Sequence, residues 1–251
     1  MESLLKVEKL CKSFLFREKP VLVLQDISFK VAGQEFVSII GSSGCGKSTL
    51  LELIAGITIP DNGKIFEQDK DITGKAGFAG YMPQDDLLLP WLTLIENAIL
   101  PCRIKHDNIK QSRAKALSLL PDFGLSGFEH HLPWQLSGGM KQRAAFLRTV
   151  MSNSEILLLD EPFANLDALT RLQMQQWLIS IRAKLKQTII FVTHDIDEAI
   201  RLSDTIYVMD SVPAPFIHKE VISKAQRQEN SDLSNPLWAE IKAKLTAKLI
   251  K

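Results

Sequence analysis

Short apolar runs alternate with amphipathic stretches along most of this chain. Phe36–Ile40, Ile156–Leu159, Thr188–Thr193 and Thr205–Met209 have the length and β-branched content of strands buried on both faces. Leu50–Gly56, Ala168–Lys186 and Ile196–Leu202 carry helical periodicity between them. Strand–helix alternation of this kind predicts an α/β fold, a mainly parallel core sheet wrapped by helices. Leu4–Leu10 and Val21–Val31 read differently. In the second, Ile27, Phe29 and Val31 alternate with polar residues, which predicts an antiparallel β part with one wet face. The turn Pro60-Asp-Asn-Gly63 precedes a short strand at Lys64–Glu67, and another strand falls at Phe78–Met82.

From Leu87 to Arg148 the pattern is helical, with segments at Leu92–Leu100 and Gln111–Leu120 broken by Pro90, Pro101 and Pro121. The division expected is one domain over 1–251. A nucleotide-binding core with its antiparallel part takes 1–86 and 154–222, a helical subdomain 87–153, and a helical tail 223–251. Gln226–Asn235 is a polar linker within that tail. In Pro236–Lys251 the residues Ile241, Leu245 and Leu249 share one helix face, which is expected to pack on its own domain.

Composition narrows the function classes. The 251 residues suffice for a large core, and a net charge of +1 gives no basic field for nucleic acid. Cys11, Cys45 and Cys102 are odd in number and widely spaced, which predicts neither a disulfide framework nor a zinc site. The start Met-Glu-Ser-Leu-Leu-Lys lacks the layout of a signal peptide, and no run approaches the roughly 18 apolar residues of a membrane span.

The chemistry concentrates at strand ends. Gly41-Ser42-Ser-Gly44-Cys45-Gly46-Lys47-Ser48-Thr49 fits G-x-x-x-x-G-K-[ST] between a predicted strand and a predicted helix. Its glycines let successive backbone N–H groups converge on phosphate oxygens, Lys47 reaches the β- and γ-phosphates, and Ser48 can ligate Mg²⁺. The pattern arises by chance in a chain this long about 1% of the time. Asp160 and Glu161 end the Ile156–Leu159 run, where Asp160 can hold Mg²⁺ through water and Glu161 can polarise an attacking water. Gln84 ends a strand and is either a metal or water ligand or a solvated loop residue. Ser137 caps a helix that begins Gly138-Gly139, read as a second anion-binding helix start or only a capped helix. His194 follows a buried strand and is either a γ-phosphate donor or a satisfied loop histidine. Phe14, ahead of Phe16, is a candidate to stack on adenine, and otherwise packs in the loop between the first two strands. The apolar Leu87–Leu92 stretch marks a partner site if it is exposed.

Taken together, these motifs resemble the ATP-binding-cassette family of transport ATPases over essentially the full length. Gly41–Thr49 matches its Walker A loop, Gln84 its Q-loop, Leu136-Ser-Gly-Gly-Met140 its signature, Ile156–Asp160 its Walker B strand, Asn165-Leu-Asp167 its D-loop and His194 its switch histidine. The resemblance implies a head-to-tail dimer in which two ATP molecules lie between Walker A of one copy and Ser137, Gly138 and Gly139 of the other. It also implies Ser48, Gln84 and Asp160 around Mg²⁺, Glu161 as general base, His194 as γ-phosphate sensor and Asp167 in communication across the dimer.

A narrower likeness is to the importer ATPases of the nitrate, sulfonate and taurine group, which includes importers of thiamine pyrimidine precursors. It rests on Leu89-Pro-Trp-Leu-Thr93, Leu166-Asp-Ala-Leu-Thr-Arg171 and Phe191–Ala199; Leu147-Arg-Thr-Val150 leans toward the pyrimidine importers. It implies an integral-membrane permease, with a solute-binding protein behind it and a peripheral place on the cytoplasmic face of the membrane. Leu87–Trp91 would contact the permease. Two departures stand out: Asn165 where a small residue is usual, and Phe14 where the stacking residue is usually Tyr. The competing readings are an exporter subunit and a soluble cassette ATPase acting on DNA or ribosomes. The absence of a heptad run or basic linker counts against the latter.

Overall fold

The computed structural model describes residues 3–222 and 236–249. The predicted linker Gln226–Asn235 lies outside the described residues. In chain order the elements are β1 Ser3–Phe16, β2 Lys19–Ala32, β3 Phe36–Ile40, α1 Lys47–Ala55, β4 Asn62–Glu67, β5 Lys70–Asp71 and β6 Ala79–Met82. Then come α2 Leu94–Ala98, α3 Leu100–Ile104, α4 Ile109–Phe123, α5 Gly138–Val150, β7 Ile156–Asp160, α6 Ala168–Leu185, β8 Thr188–Thr193, α7 Ile196–Leu202, β9 Thr205–Met209, β10 Phe216–Val221 and α8 Pro236–Leu249. The α/β class expected from the sequence is borne out: parallel strands, an antiparallel β part and a helical part are all present.

The chain divides into two compact units, residues 1–78 with 187–251 and residues 79–186. In the first, β3 pairs in parallel with both β8 and β9, and β10 adds to β9 antiparallel. Every residue of β3, β8 and β9 is buried, as the unbroken apolar runs require. The antiparallel part consists of β1 paired with β2 and β4, with β5 beside β4.

The β1–β2 hairpin differs from expectation. Phe14 and Phe16 lie in β1 itself, not in a connecting loop, because Arg17 and Glu18 take positive φ (48° and 64°) and close the hairpin in two residues. The strands β5 and β10 were not foreseen. One is two residues long and the other, Phe-Ile-His-Lys-Glu-Val, is a half-exposed edge strand whose His, Lys and Glu mask its period.

The helix α8 closes the first unit. Its Trp238, Ile241 and Leu245 are buried in a cluster with Ile40, Ala199, Ile200, Ile206, Val208 and Ile222, and Leu249 packs at the margin. Each such large apolar side chain contributes about 1.5–3 kcal/mol on burial. Ion pairs Lys242–Asp197 and Lys244–Glu220, both 2.6 Å, flank the cluster. The expectation that this face packs on its own domain holds.

In the second unit β6 pairs in parallel with β7. The predicted helix Leu92–Leu100 is instead α2 and α3. Thr93 caps the first, its N–H (2.8 Å) and Oγ1 (2.7 Å) donating to Glu96 Oε2, which sets the start at Leu94. Pro101 sits in the first turn of α3, where its missing N–H costs nothing. The helix expected at Gln111–Leu120 runs from Ile109 to Phe123. It continues through Pro121 because that residue is in the last turn and forfeits one hydrogen bond only, after which Gly124 ends it at φ 63°.

Candidate functional site

The first unit carries the phosphate loop and His194. In the β3–β8 register Ile40 lies opposite Thr193, so Gly41 and His194 leave adjacent parallel strands at the same carboxyl edge. Open parallel sheets present ligand sites at that edge. The loop Gly41–Gly46 enters α1 through Gly46 at φ 102°, and a Cβ there would meet Val23 and Leu24 at 2.9 Å, so only glycine fits the turn. Ser42 and Gly44 are exposed, while Cys45 and Lys47 are buried and Ser48 and Thr49 partly so. Lys47 Nζ donates to the carbonyls of Gly41 (3.0 Å) and Ser42 (2.9 Å), which folds the loop around its ammonium group. No acidic residue occupies the first turn of α1, so the positive end of the helix dipole is uncancelled. His194 is exposed, and Asp195 behind it caps α7 through the N–H groups of Asp197 and Glu198. Phe14 is 42% exposed near the hairpin end, with Lys12 Nζ 5.5 Å from its ring centroid.

The second unit carries Gln84, Asp160 and Glu161. Met82 pairs with Leu159, so the chain leaves β6 and β7 at the same edge, with Gln84 just beyond one strand and the two carboxylates at the end of the other. Asp160 is 4% exposed and accepts a 3.4 Å hydrogen bond from Tyr81 Oη. Glu161 holds a left-handed backbone (φ 42°), which turns the chain sharply at the strand end and costs about 1–2 kcal/mol. Gln84 is exposed. The amide oxygen of Gln84 and the carboxylate of Asp160, like the hydroxyl of Ser48 in the first unit, are hard oxygen donors of the type that suits Mg²⁺.

The second anion-type helix start is also in this unit. Ser137 caps α5 by accepting from Met140 N–H at 3.3 Å, and Ser137 and Gly138 are exposed. A Cβ at Gly139 would lie 3.0 Å from Thr170 Cγ2, so the start of α5 approaches α6 closely and a larger residue there would need the Thr170 side chain to shift. Asp167 caps α6, accepting from Leu169 (3.1 Å) and Thr170 (3.0 Å) N–H groups. The hydroxyl and N–H of Thr170 hold its carboxyl below the usual range.

Three side chains that sequence reasoning did not single out brace these loops. Arg148 on α5 donates from Nη2 to the Asp86 carbonyl (2.6 Å) and from Nη1 to that of Leu87 (2.7 Å). Burial pulls its pKa below the ordinary arginine value, and Asp86 opposes that shift. Asn97, fully buried, accepts from Leu89 N–H and donates to the carbonyls of Leu89, Leu92 and Thr93. Arg171 donates to the carbonyls of Phe163 (3.3 Å) and Leu166 (3.0 Å). A polar residue amid an apolar helical stretch, as Asn97 is between Ile95 and Ile99, was the available signal. Between them Arg148 and Asn97 hold a loop that exposes Leu87 (60%) and Trp91 (71%) and buries Leu88. The apolar stretch expected to mark a partner site if exposed is therefore outward-facing at those two residues.

Comparison with known proteins adds independent evidence. The family profile described as ABC transporter matches residues 24–164. The chain is 47% identical over 191 residues to the formylaminopyrimidine import ATP-binding protein ThiZ of Halalkalibacterium halodurans, spanning 76% of this chain and 74% of that one. It is 39% identical over 212 residues to the taurine import ATP-binding protein TauB of Yersinia pestis, spanning 84% and 82%. Among solved structures, a dimeric post-hydrolysis state of the ATP-binding cassette MJ0796 bound to ADP and Pi superposes with a TM-score of 0.75, at 30% identity over 87% of this chain and 99% of that one.

Proposed function

The chain belongs to the ABC transporter family, and we propose that it is the ATP-binding and ATP-hydrolysing subunit of an importer, driving uptake of a small solute through a separate permease. The observation that supports this reading is that one chain presents two helix starts with no acidic residue in the first turn, each suited to an anion. One is the phosphate loop around buried Lys47, and the other the exposed Ser137-Gly138-Gly139 start of α5. Two copies arranged head to tail give each phosphate loop a Ser137 from the partner copy, and the MJ0796 cassette is dimeric in its ADP- and Pi-bound form. No helix among the described residues is long and apolar enough to cross a membrane, and attachment by docking is the proposed mode. The proposed location is the cytoplasmic face of the membrane, on permease subunits served by a solute-binding protein.

In this reading the amides of Gly41–Thr49 and Lys47 bind the nucleotide phosphates, and Phe14 stacks on the base. Ser48, Gln84 and Asp160 would hold Mg²⁺, which would supply neutralisation of the negative charge on the nucleotide phosphates. Glu161 takes the proton of the attacking water, His194 donates to the γ-phosphate, and Asp167 relays across the dimer. The helical subdomain 87–153 presents Leu87 and Trp91 to the permease. The solute is of the class taken by the nitrate, sulfonate and taurine importers or a thiamine pyrimidine precursor. The similarity to a formylaminopyrimidine import protein favours the latter.

The test is recovery of tagged Glu161→Gln protein from detergent-solubilised membranes with ATP and Mg²⁺, followed by mass spectrometry. A co-purifying polytopic membrane subunit supports the reading. A soluble dimer alone, or ribosomal or DNA-bound material, rejects it in favour of a soluble cassette ATPase.

A further inference from the structure

The loop between Gln84 and Thr93 contains one residue in a conformation its side chain disfavours. Leu87 has φ 43°, the left-handed region, which costs a leucine about 1–2 kcal/mol and which Asn or Gly adopts readily. The bend occurs where the chain turns Leu87 outward, and the backbone carbonyls on either side of its N–H belong to Asp86 and to Leu87 itself. Both accept from the Arg148 guanidinium, at 2.6 and 2.7 Å. A planar fork of fixed donors matches two successive carbonyls in a way that a lysine ammonium does not. The loop has further supports: Asp86 Oδ1 accepts from Leu88 N–H at 3.0 Å across the bend, Asn165 Nδ2 donates to Asp85 Oδ1 at 3.2 Å before it, and Asn97 holds Leu89, Leu92 and Thr93 after it. Among the described residues, Arg148 is the side chain from another element that bonds the two carbonyls flanking the bend, and that element is α5, whose first turn is Ser137-Gly138-Gly139.

We propose that Arg148 is a positioning residue: its guanidinium stabilises the left-handed bend at Leu87 and ties the outward-facing Leu87–Trp91 loop to the helix that begins at Ser137. The loop and α5 then move as one body. Displacement of Leu87 by a bound partner is carried along α5 over about 11 residues, roughly 16 Å of helix at 1.5 Å per residue, to the Ser137 end. This second consequence rests on the importer reading given above; the bracing of the bend does not.

The test uses the full-length chain and the variant Arg148→Lys, which keeps charge and most of the stem. Amide hydrogen exchange over 84–92 is expected to rise about tenfold, the factor that one charge-assisted hydrogen bond supplies, with exchange in α5 unchanged. Adding Leu87→Asn, which tolerates the left-handed backbone, is expected to return exchange in the loop most of the way to the parent value. In steady-state ATP turnover, Arg148→Lys is expected to lower kcat several-fold with KM for ATP within about twofold of the parent, the mark of lost positioning and not of lost binding. Unchanged loop exchange in Arg148→Lys overturns the proposal. So does a rise that extends equally through α5, which indicates general loosening, or one that Leu87→Asn does not reduce. Should the parent chain lack ATP turnover, the importer reading fails while the exchange arms still decide the role of Arg148.

Discussion

The side-chain amide of Asn165 donates to Asp85 Oδ1 at 3.2 Å. That contact joins the loop preceding Asp167 to the residue directly after Gln84, and it needs a side-chain donor at position 165. Both side chains are exposed, so the bond contributes on the order of 0.5–1.5 kcal/mol. Asn165→Ala is expected to lower ATP turnover about two- to tenfold without changing ATP affinity. Asp85→Ala should have the same effect, and the double variant should be no worse than either alone. Additive losses in this double-mutant cycle would show that the two loops act separately.

Glu161→Gln separates chemistry from binding. The substitution keeps size and hydrogen-bonding capacity at the φ 42° position but removes the proposed base, so turnover should fall about 10²- to 10⁴-fold while ATP binding persists. Equilibrium binding of a fluorescent ATP analogue, alongside phosphate release, measures both. A folded variant unable to bind ATP would contradict the general-base role.

Ser137→Arg places a long cation on the exposed start of α5, remote in sequence from the phosphate loop. Binding of ATP should survive and turnover should not, because the residue is proposed to serve the nucleotide held by the partner copy. Mixing Ser137→Arg with Lys47→Ala chains sharpens the test. A head-to-tail pair leaves one composite site intact, so partial turnover should reappear, whereas chains acting singly would stay inactive.

The legibility of these features in the sequence follows their physics. β3, β7, β8 and β9 are buried on both faces and read as unbroken apolar runs, and the phosphate loop and the Ser137 cap have local signatures. The edge strand β10 escaped because half of it is solvated and its His218 and Glu220 are paired with each other. The hairpin tip escaped because Arg17 and Glu18 adopt positive φ without glycine or asparagine to announce the turn. Arg148 was invisible for a different reason. Its partners are backbone carbonyls as much as 62 residues away, and a carbonyl leaves no trace in a sequence.

Acid stability offers a check on the antiparallel part. The hydroxyl and N–H of Thr73, with Lys64, hold the Asp71 carboxyl down to about 2 from an ordinary 3.8. A depressed folded-state value means the contribution is fully present above about pH 4, the unfolded value, and is lost as pH falls toward 2. Asp71→Asn should therefore be less stable than the parent at pH 6, with the gap closing between pH 4 and pH 2. Urea melts at pH 6, 4 and 2.5 follow the gap, and a constant difference would mean that the lost interaction is not the ionised carboxylate's.

The C-terminal helix is the element most open to misreading, since a helix with lysines on one side and Ile241, Leu245 and Leu249 on the other also fits a membrane-surface segment. Leu245 is fully buried in the cluster that contains Ile40, the residue immediately before the phosphate loop. Leu245→Ala should cost about 2–5 kcal/mol, a cavity-forming loss, and lower Tm by about 4–20 °C. Glu240→Ala, on the exposed side of the same helix, should stay within about 0.5 kcal/mol of the parent. Bound ATP should raise the Tm of both variants by similar amounts, because the cluster supports the strand under the loop without touching nucleotide. A Leu245→Ala protein melting with the parent would mean that the helix is not seated on β9 and α7 in solution, and its apolar face would then be available to a lipid surface.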